Sequence, residues 1–128
     1  MTTSKPNKTS EAIFLGELIS FRLSLKLIHW SITGSGSYAA HISLDQAIDT
    51  LTEITDRLTE TSIALNGTLN IVIPETVCPK DYVAHVDLFY AHVEKARKEL
   101  FPESFSQSII DDVQETIQQL LFRLKRLS

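Results

Sequence analysis

The stretch HWSITGSGSYAAHISLDQAIDTLTEITDRLTE (residues 29–60) decides the fold of this chain. From about Ala39 to Leu65, apolar residues recur at helical spacing, which predicts one helix of about seven turns. Its apolar positions are Leu44, Ile48, Leu51, Ile54, Leu58 and Leu65. The same stretch carries the candidate functional residues His29, His41, Asp45, Asp56 and Glu60.

Helical geometry places most of these polar residues on one side of the predicted helix. With His41 set at 0° and an advance of about 100° per residue, Asp45 falls near about 40°. Asp56 then lies at about 60° and Glu60 at about 100°, whereas the apolar positions cluster between about 220° and 340°. The sequence therefore predicts a polar stripe beside the buried face.

Distance along the helix axis determines how this stripe can bind a ligand. Asp45 and Asp56 are separated by roughly 16 Å, and one metal ion cannot reach both because its ligand bonds are about 2 Å long. One chain thus carries two half-sites: His41 and Asp45 with His29 nearby, and Asp56 with Glu60. A second copy of the helix, antiparallel about a two-fold axis, would bring unlike half-sites together and form two equivalent sites at one interface.

These residues follow the pattern of a known family. The runs HWSITGSGSYAAHISLD (29–45), DRLTE (56–60) and ALNG (64–67) resemble the motif of the Dps proteins, the dodecameric mini-ferritins. All five ligand positions of that motif have a matching residue type at the family's spacing, and Trp30 and Gly34 are also in place.

The resemblance extends over about residues 10–67. Dps chains are usually longer, and the segment after Gly67 matches them only in being helical. In its length and its ending, IIDDVQETIQQLLFRLKRL, the chain is nearer to short, poorly characterised Dps-like proteins of bacteria and bacteriophages.

The resemblance implies an all-α, ferritin-like four-helix bundle with a long crossover between the second and third helices. It implies catalytic and metal-binding roles for His29, His41, Asp45, Asp56 and Glu60, which would bind two iron ions at an intersubunit site. Fe(II) would be oxidised there with hydrogen peroxide or dioxygen, in a dimer at minimum or a dodecameric shell, protecting against oxidative damage. Imidazole and carboxylate ligands also suit Zn(II) or Mn(II), so ligand type alone does not select iron.

Two neighbours of the ligand set have more than one interpretation. Lys26, one turn before His29, either hydrogen-bonds a ligand carboxylate or is solvated. Trp30 is either a core aromatic residue or, by resemblance, an oxidisable ring beside the site.

The rest of the chain predicts three more helices. The first ends near Trp30 and is followed by the turn TGSGS (33–37); the third covers about 81–100 and the fourth about 103–127. A connection of about 14 residues before the third helix could span roughly 45 Å, enough for that helix to begin at the far end of the bundle. The predicted inward positions of these helices are Phe14, Leu18, Phe21, Leu25, Ile28, Val86, Phe89, Val93, Ala96, Leu100, Ile109, Ile110, Val113, Ile117, Leu120, Leu121 and Leu124.

His85 and His92 lie seven residues apart on the third helix and could suggest a second metal site. No carboxylate at a matching spacing is evident as a partner, so we expect surface histidines. Cys78 excludes an intrachain disulfide and, as the single cysteine, is expected to have no catalytic role.

Composition sets the class of protein. A length of 128 residues with 43% hydrophobic content suits one domain, expected over residues 10–128 after a flexible arm at 1–9. No secretory signal or membrane span is evident, which predicts a cytoplasmic protein of a bacterium, or of the infected host cell if a phage encodes it. The net charge of −4 argues against DNA binding through bulk charge and leaves at most a weak contact by Lys5 and Lys8.

Two other functions remain open at this point. The chain could be a ferritin-like structural or interaction module with a non-redox metal site, which its short length and divergent second half favour. It could also be a DNA-compacting protein, against which its acidic balance argues.

Overall fold

A computed structural model describes residues 8–127 of the protein, and within this range the chain forms four α-helices and no β-strand. The helices are α1 (Lys8–Ser31), α2 (Ser37–Asn66), α3 (Tyr82–Glu99) and α4 (Ser104–Leu127). The predicted all-α, four-helix architecture is confirmed. Of the predicted arm, residues 1–7 lie outside the described range, and Lys8 and Thr9 are already helical.

The apolar stripes of the four helices meet in one core. Every predicted inward position listed for α1 and α4 is buried, and in α3 Val86, Val93 and Ala96 are buried while Phe89 and Leu100 pack partly buried against the core. In α2 the prediction is wrong for Leu65, whose side chain is 40% exposed. At this end of α2 the contact with α1 is made by Ser62 and Asn66, and Leu65 points to a different side of the helix.

That polar contact fixes the antiparallel pairing of α1 and α2. Glu11, in the first turn of α1, is buried and accepts hydrogen bonds from Ser62 Oγ (2.6 Å) and Asn66 Nδ2 (3.0 Å) at the end of α2. At the opposite end the chain turns through Gly34 and Gly36, whose φ angles of 95° and 80° are readily adopted only by glycine. The two helices therefore form a hairpin whose closed end carries the candidate ligands.

The connection between α2 and α3 lies along α1. The Val72 carbonyl oxygen would be 2.1 Å from a Cβ atom built on Gly16, so only a glycine permits this approach. Further along, Thr76 Oγ1 is 2.7 Å from Ser20 Oγ, and Cys78 Sγ is 3.6 Å from Ser31 Oγ at the end of α1. Of the apolar residues in this connection, Leu69 and Ile71 pack on the core, whereas Val72 and Ile73 are exposed.

Asp81 caps the start of helix α3: its Oδ1 accepts a hydrogen bond from the Ala84 backbone N–H (3.0 Å). The helix packs on α1 in the antiparallel direction: His85, near its start, contacts Ser24, and His92, further on, contacts Glu17. Helix α4 then packs between α2 and α3. Within residues 8–127, none of the helices combines the length and hydrophobicity that crossing a bilayer requires.

Candidate metal centre at the end of the helical hairpin

Three of the five predicted ligands come together at the closed end of the α1–α2 hairpin. His29 Nε2 lies 3.1 Å from Asp45 Oδ2, and the ring centroids of His29 and His41 are 4.4 Å apart with nearly perpendicular planes. The glycine turn brings the last turn of α1 beside the first turns of α2, which is why residues so far apart in sequence meet here.

The hydrogen bonds of the two histidines leave nitrogen atoms available to a ligand. His41 Nε2 lies 3.3 Å from the Ile32 carbonyl oxygen, which can only accept, so Nε2 carries the proton and Nδ1 keeps its lone pair in the neutral ring. His29 Nδ1 is buried and has no hydrogen-bond partner among the described residues. A buried polar atom without a partner is costly, so this arrangement fits a site that a further group completes.

Asp45 is the charged member of the cluster. Its carboxylate is 51% exposed and accepts a hydrogen bond from Lys26 Nζ at 3.3 Å, the contact that was one of the two possibilities for Lys26. Partial desolvation alone would raise the pKa of Asp45, but the hydrogen bond from Lys26 and the charges of His29 and Lys26 outweigh it and hold that pKa below its usual value. Asp45 is therefore ionised at neutral pH.

Asp56 and Glu60 do not join this cluster. Both are exposed on α2, further along the helix than any ligand bond can reach from Asp45. Within residues 8–127, no three or more His, Cys, Asp or Glu side chains surround a common point as a metal requires. His29 instead contacts both Asp45 and His41, so the five-ligand site stays a prediction that needs a second chain.

Trp30 is not a core residue. Its side chain is 68% exposed, and Lys26 Nζ lies 5.7 Å from the centroid of its ring. The core interpretation of Trp30 is therefore wrong for the single chain, and its ring is accessible beside the cluster.

The expectation of surface histidines on α3 is confirmed for His92, whose side chain is 42% exposed, and is wrong for His85. His85 is half-buried, with Nε2 2.7 Å from Ser24 Oγ, and His92 Nε2 lies 2.7 Å from Glu17 Oε1. The sequence did contain a signal for these pairs. Glu17 and Ser24 are seven residues apart on α1, the same spacing as the two histidines on α3, so antiparallel packing matches one pair to the other.

Together the fold and this cluster define an all-α four-helix protein with a histidine–carboxylate site at the end of a helical hairpin. The chain belongs to a family of unknown function (DUF5856), whose model matches residues 29–124, well over half of the chain. The matched region begins at His29 and includes all five predicted ligands. No curated protein and no solved structure matches the chain.

Proposed function

We propose that this protein is a Dps-like ferroxidase that oxidises and sequesters Fe(II) at sites shared between two chains. The observation that carries the proposal is the contact of His29 with both Asp45 and His41 at one end of α2, which places two imidazoles beside an ionised carboxylate. These are the ligand types that bind Fe(II), Mn(II) and Zn(II), and iron is selected on the basis of the Dps-like motif.

The path of the chain supports a ferritin-like bundle. The α2–α3 connection follows α1 from Gly16 to Ser31, and both α2 and α3 are antiparallel to α1. Helices α2 and α3 then run in the same direction, as the long crossover of that fold requires. Residues 67–81 can extend over about 50 Å, more than the roughly 36 Å length of α1.

The exposed face of α2 supports an antiparallel pairing of two copies. Ile42 and Ile63 are each 40% exposed. With His41 at 0°, they lie at about 100° and about 40° around the helix, among the residues of the polar stripe. The pair Ile42 and Ile63, like the pair Asp45 and Asp56, is centred close to Leu51 along α2. A two-fold axis near Leu51 would therefore bring apolar residues together while it joins the half-sites.

In this proposal Fe(II) is the substrate and two ions are oxidised together. Two Fe(II) ions and one hydrogen peroxide, with two protons, give two Fe(III) ions and two waters, so no hydroxyl radical is released. His41 would bind the metal through Nδ1 while its Nε2 donates to the Ile32 carbonyl oxygen. The Asp45 carboxylate would lose its hydrogen bond from Lys26 and bind the metal. The carboxylates of Asp45, Asp56 and Glu60 would balance the added charge of the ferric product. Ferric iron would then pass to a mineral core inside a shell, as the Dps-like motif implies.

A second candidate is a structural module with a non-redox metal such as zinc. The donor set favours it, because zinc binds imidazole and carboxylate ligands more tightly than iron does. The two candidates differ in turnover: a ferroxidase oxidises Fe(II) faster than a buffer blank, whereas a structural site binds metal without doing so.

Complementation between half-sites tests the shared site. Chains with His41→Ala and chains with Glu60→Ala are each expected to bind no metal at the shared site. In a mixed dimer one of the two sites receives both intact halves, so equal co-expression should restore roughly a quarter of the wild-type sites if pairing is random.

The matched control mixes His41→Ala with Asp45→Ala, two lesions in the same half-site, which cannot complement each other. Metal content after gel filtration and peroxide-dependent Fe(II) oxidation by stopped flow are both measured. Restoration only in the first mixture supports the proposal. Absence of restoration there, or equal restoration in the control, contradicts the shared site; wild-type oxidation no faster than the blank contradicts the ferroxidase.

A further inference from the structure

A second site lies away from the candidate metal centre, in a cleft of about 400 Å³ between α1, α3 and the connection. This volume is within the range of small-molecule sites. The cleft shares no residue with the cluster of His29, His41 and Asp45. Its walls include Glu17, Glu75, His85, Leu88, Phe89 and His92.

The charge of the cleft favours a positively charged ligand. Glu17 and Glu75 both line it, and among its described lining residues there is no lysine or arginine. His92 Nε2 lies 2.7 Å from Glu17 Oε1, and both side chains are partly exposed to solvent. An anion would meet two carboxylates here without a fixed cation to balance it, whereas a cation would be attracted.

The hydrogen bonds of His85, which lines the cleft, leave one of its ring nitrogens as an acceptor. Ser24 Oγ donates its only proton to the Phe21 carbonyl oxygen at 2.6 Å, so it must accept from His85 Nε2 at 2.7 Å. Burial lowers the pKa of His85, which keeps the ring neutral near pH 7. The proton therefore sits on Nε2, and Nδ1, which has no hydrogen-bond partner among the described residues, can accept from a ligand.

The remaining surface of the cleft is apolar and partly aromatic. Phe21 and Phe89 stack with ring centroids 4.1 Å apart and planes 6° from parallel, and Phe89 remains partly exposed. Leu88 and Val77 are 72% and 66% exposed and form the opposite outer walls. This surface can cover the body of a small organic molecule, and an aromatic face also attracts a nearby cation.

We propose that this cleft binds a small organic cation with an apolar body, of the class of protonated aromatic amines. The negative charges of Glu17 and Glu75 attract the ammonium group, His85 Nδ1 can accept one of its protons, and the body lies against Phe89 and Leu88. A bare metal ion would need three of these side chains around one point, and among the described residues they do not meet in this way. The proposal does not depend on the ferroxidase function.

The test uses three probes of one shape and different charge: benzylamine, benzyl alcohol and benzoate. Binding to the full-length, metal-free protein in a chelating buffer is followed by backbone amide chemical shifts at up to about 20 mM, the range suited to fragments of this size. Benzylamine should bind most tightly and shift the amides of Val77, His85 and Leu88. Benzyl alcohol should bind more weakly, and benzoate should not bind.

Charge-removing variants locate the ammonium group. Glu17→Gln and Glu75→Gln should each weaken benzylamine binding by about fivefold, as expected for partly exposed ion pairs, and should leave benzyl alcohol binding unchanged. The matched control is Asp87→Asn, which removes a carboxylate from an exposed position of α3 outside the cleft lining and should have no effect.

Equal binding of the three probes, no shift in the cleft with benzylamine, or equal weakening by the control and cleft variants would each overturn the proposal. Because the buffer contains no free metal, these results are independent of iron binding at the hairpin.

Discussion

Replacing Gly16 by alanine tests whether the α2–α3 connection is pressed onto α1. A Cβ atom at this position would lie 2.1 Å from the Val72 carbonyl oxygen and 3.1 Å from its carbonyl carbon, where real Cβ contacts stay beyond 3.0 Å. The obstacle is backbone, which cannot rotate away as a side chain does. The connection must therefore move by about 1 Å or α1 must bend.

Two opposing effects set the magnitude. Alanine in place of glycine in a helix interior is worth about 1 kcal/mol in stability, whereas overpacking of this kind costs about 1–3 kcal/mol. Ser20 and Thr76 link the connection to α1 at 2.7 Å, so it is not free to relax. Because the clash is with backbone, the overpacking cost falls in the upper part of its range, about 2–3 kcal/mol. We therefore expect a net loss of about 1–2 kcal/mol, or a melting temperature lower by about 4–8 °C for a domain of this size.

The assay is thermal unfolding followed by circular dichroism at 222 nm, with urea unfolding as a second measurement. Ser108→Ala is the control, because it raises helix propensity at an exposed position of α4 that the connection does not touch, and it should be neutral or slightly stabilising. If Gly16→Ala is as stable as wild type or more stable, the connection does not lie against α1 as described, and the support it gives to a ferritin-like chain path is lost.

Two further predictions concern the two sites. Asp56→Asn and Glu60→Gln keep the shape of the side chains and should leave the helical content unchanged while slowing peroxide-dependent Fe(II) oxidation by about 10- to 100-fold; unchanged stopped-flow rates would remove these residues from the ligand set. Burial lowers the folded-state pKa of His85 below its usual value, so as the pH falls below about 6.5 the unfolded chain gains a proton that the folded chain resists. The free energy of unfolding should therefore fall more steeply between about pH 7.5 and pH 5.5 in wild type than in His85→Gln, as measured by urea unfolding, and identical slopes would contradict a desolvated His85.

The sequence by itself determined the helices and their buried faces. Periodicity placed Leu44, Leu51 and Leu58 on one side of α2, and each is buried, because the spacing of apolar residues on a helix fixes which face can leave water. The turn at Gly34 and Gly36 could also be predicted from the sequence, since glycine readily adopts the positive φ angles found there. These local features also predict that His29, His41 and Asp45 lie close together, because a short turn returns the chain along α1.

Only the tertiary structure showed the features that depend on how separate helices pack against one another. The periodicity of α2 could not show that Leu65 is exposed, because burial near a helix end depends on which neighbouring side chains cover each face. The pairing of Glu17 with His92 needed the direction of α3, which the connection across Gly16 determines. A helix carries its own periodicity in its sequence, but the register and direction of its neighbour arise from packing between residues far apart in the chain, and the cleft beside His85 exists only through that packing.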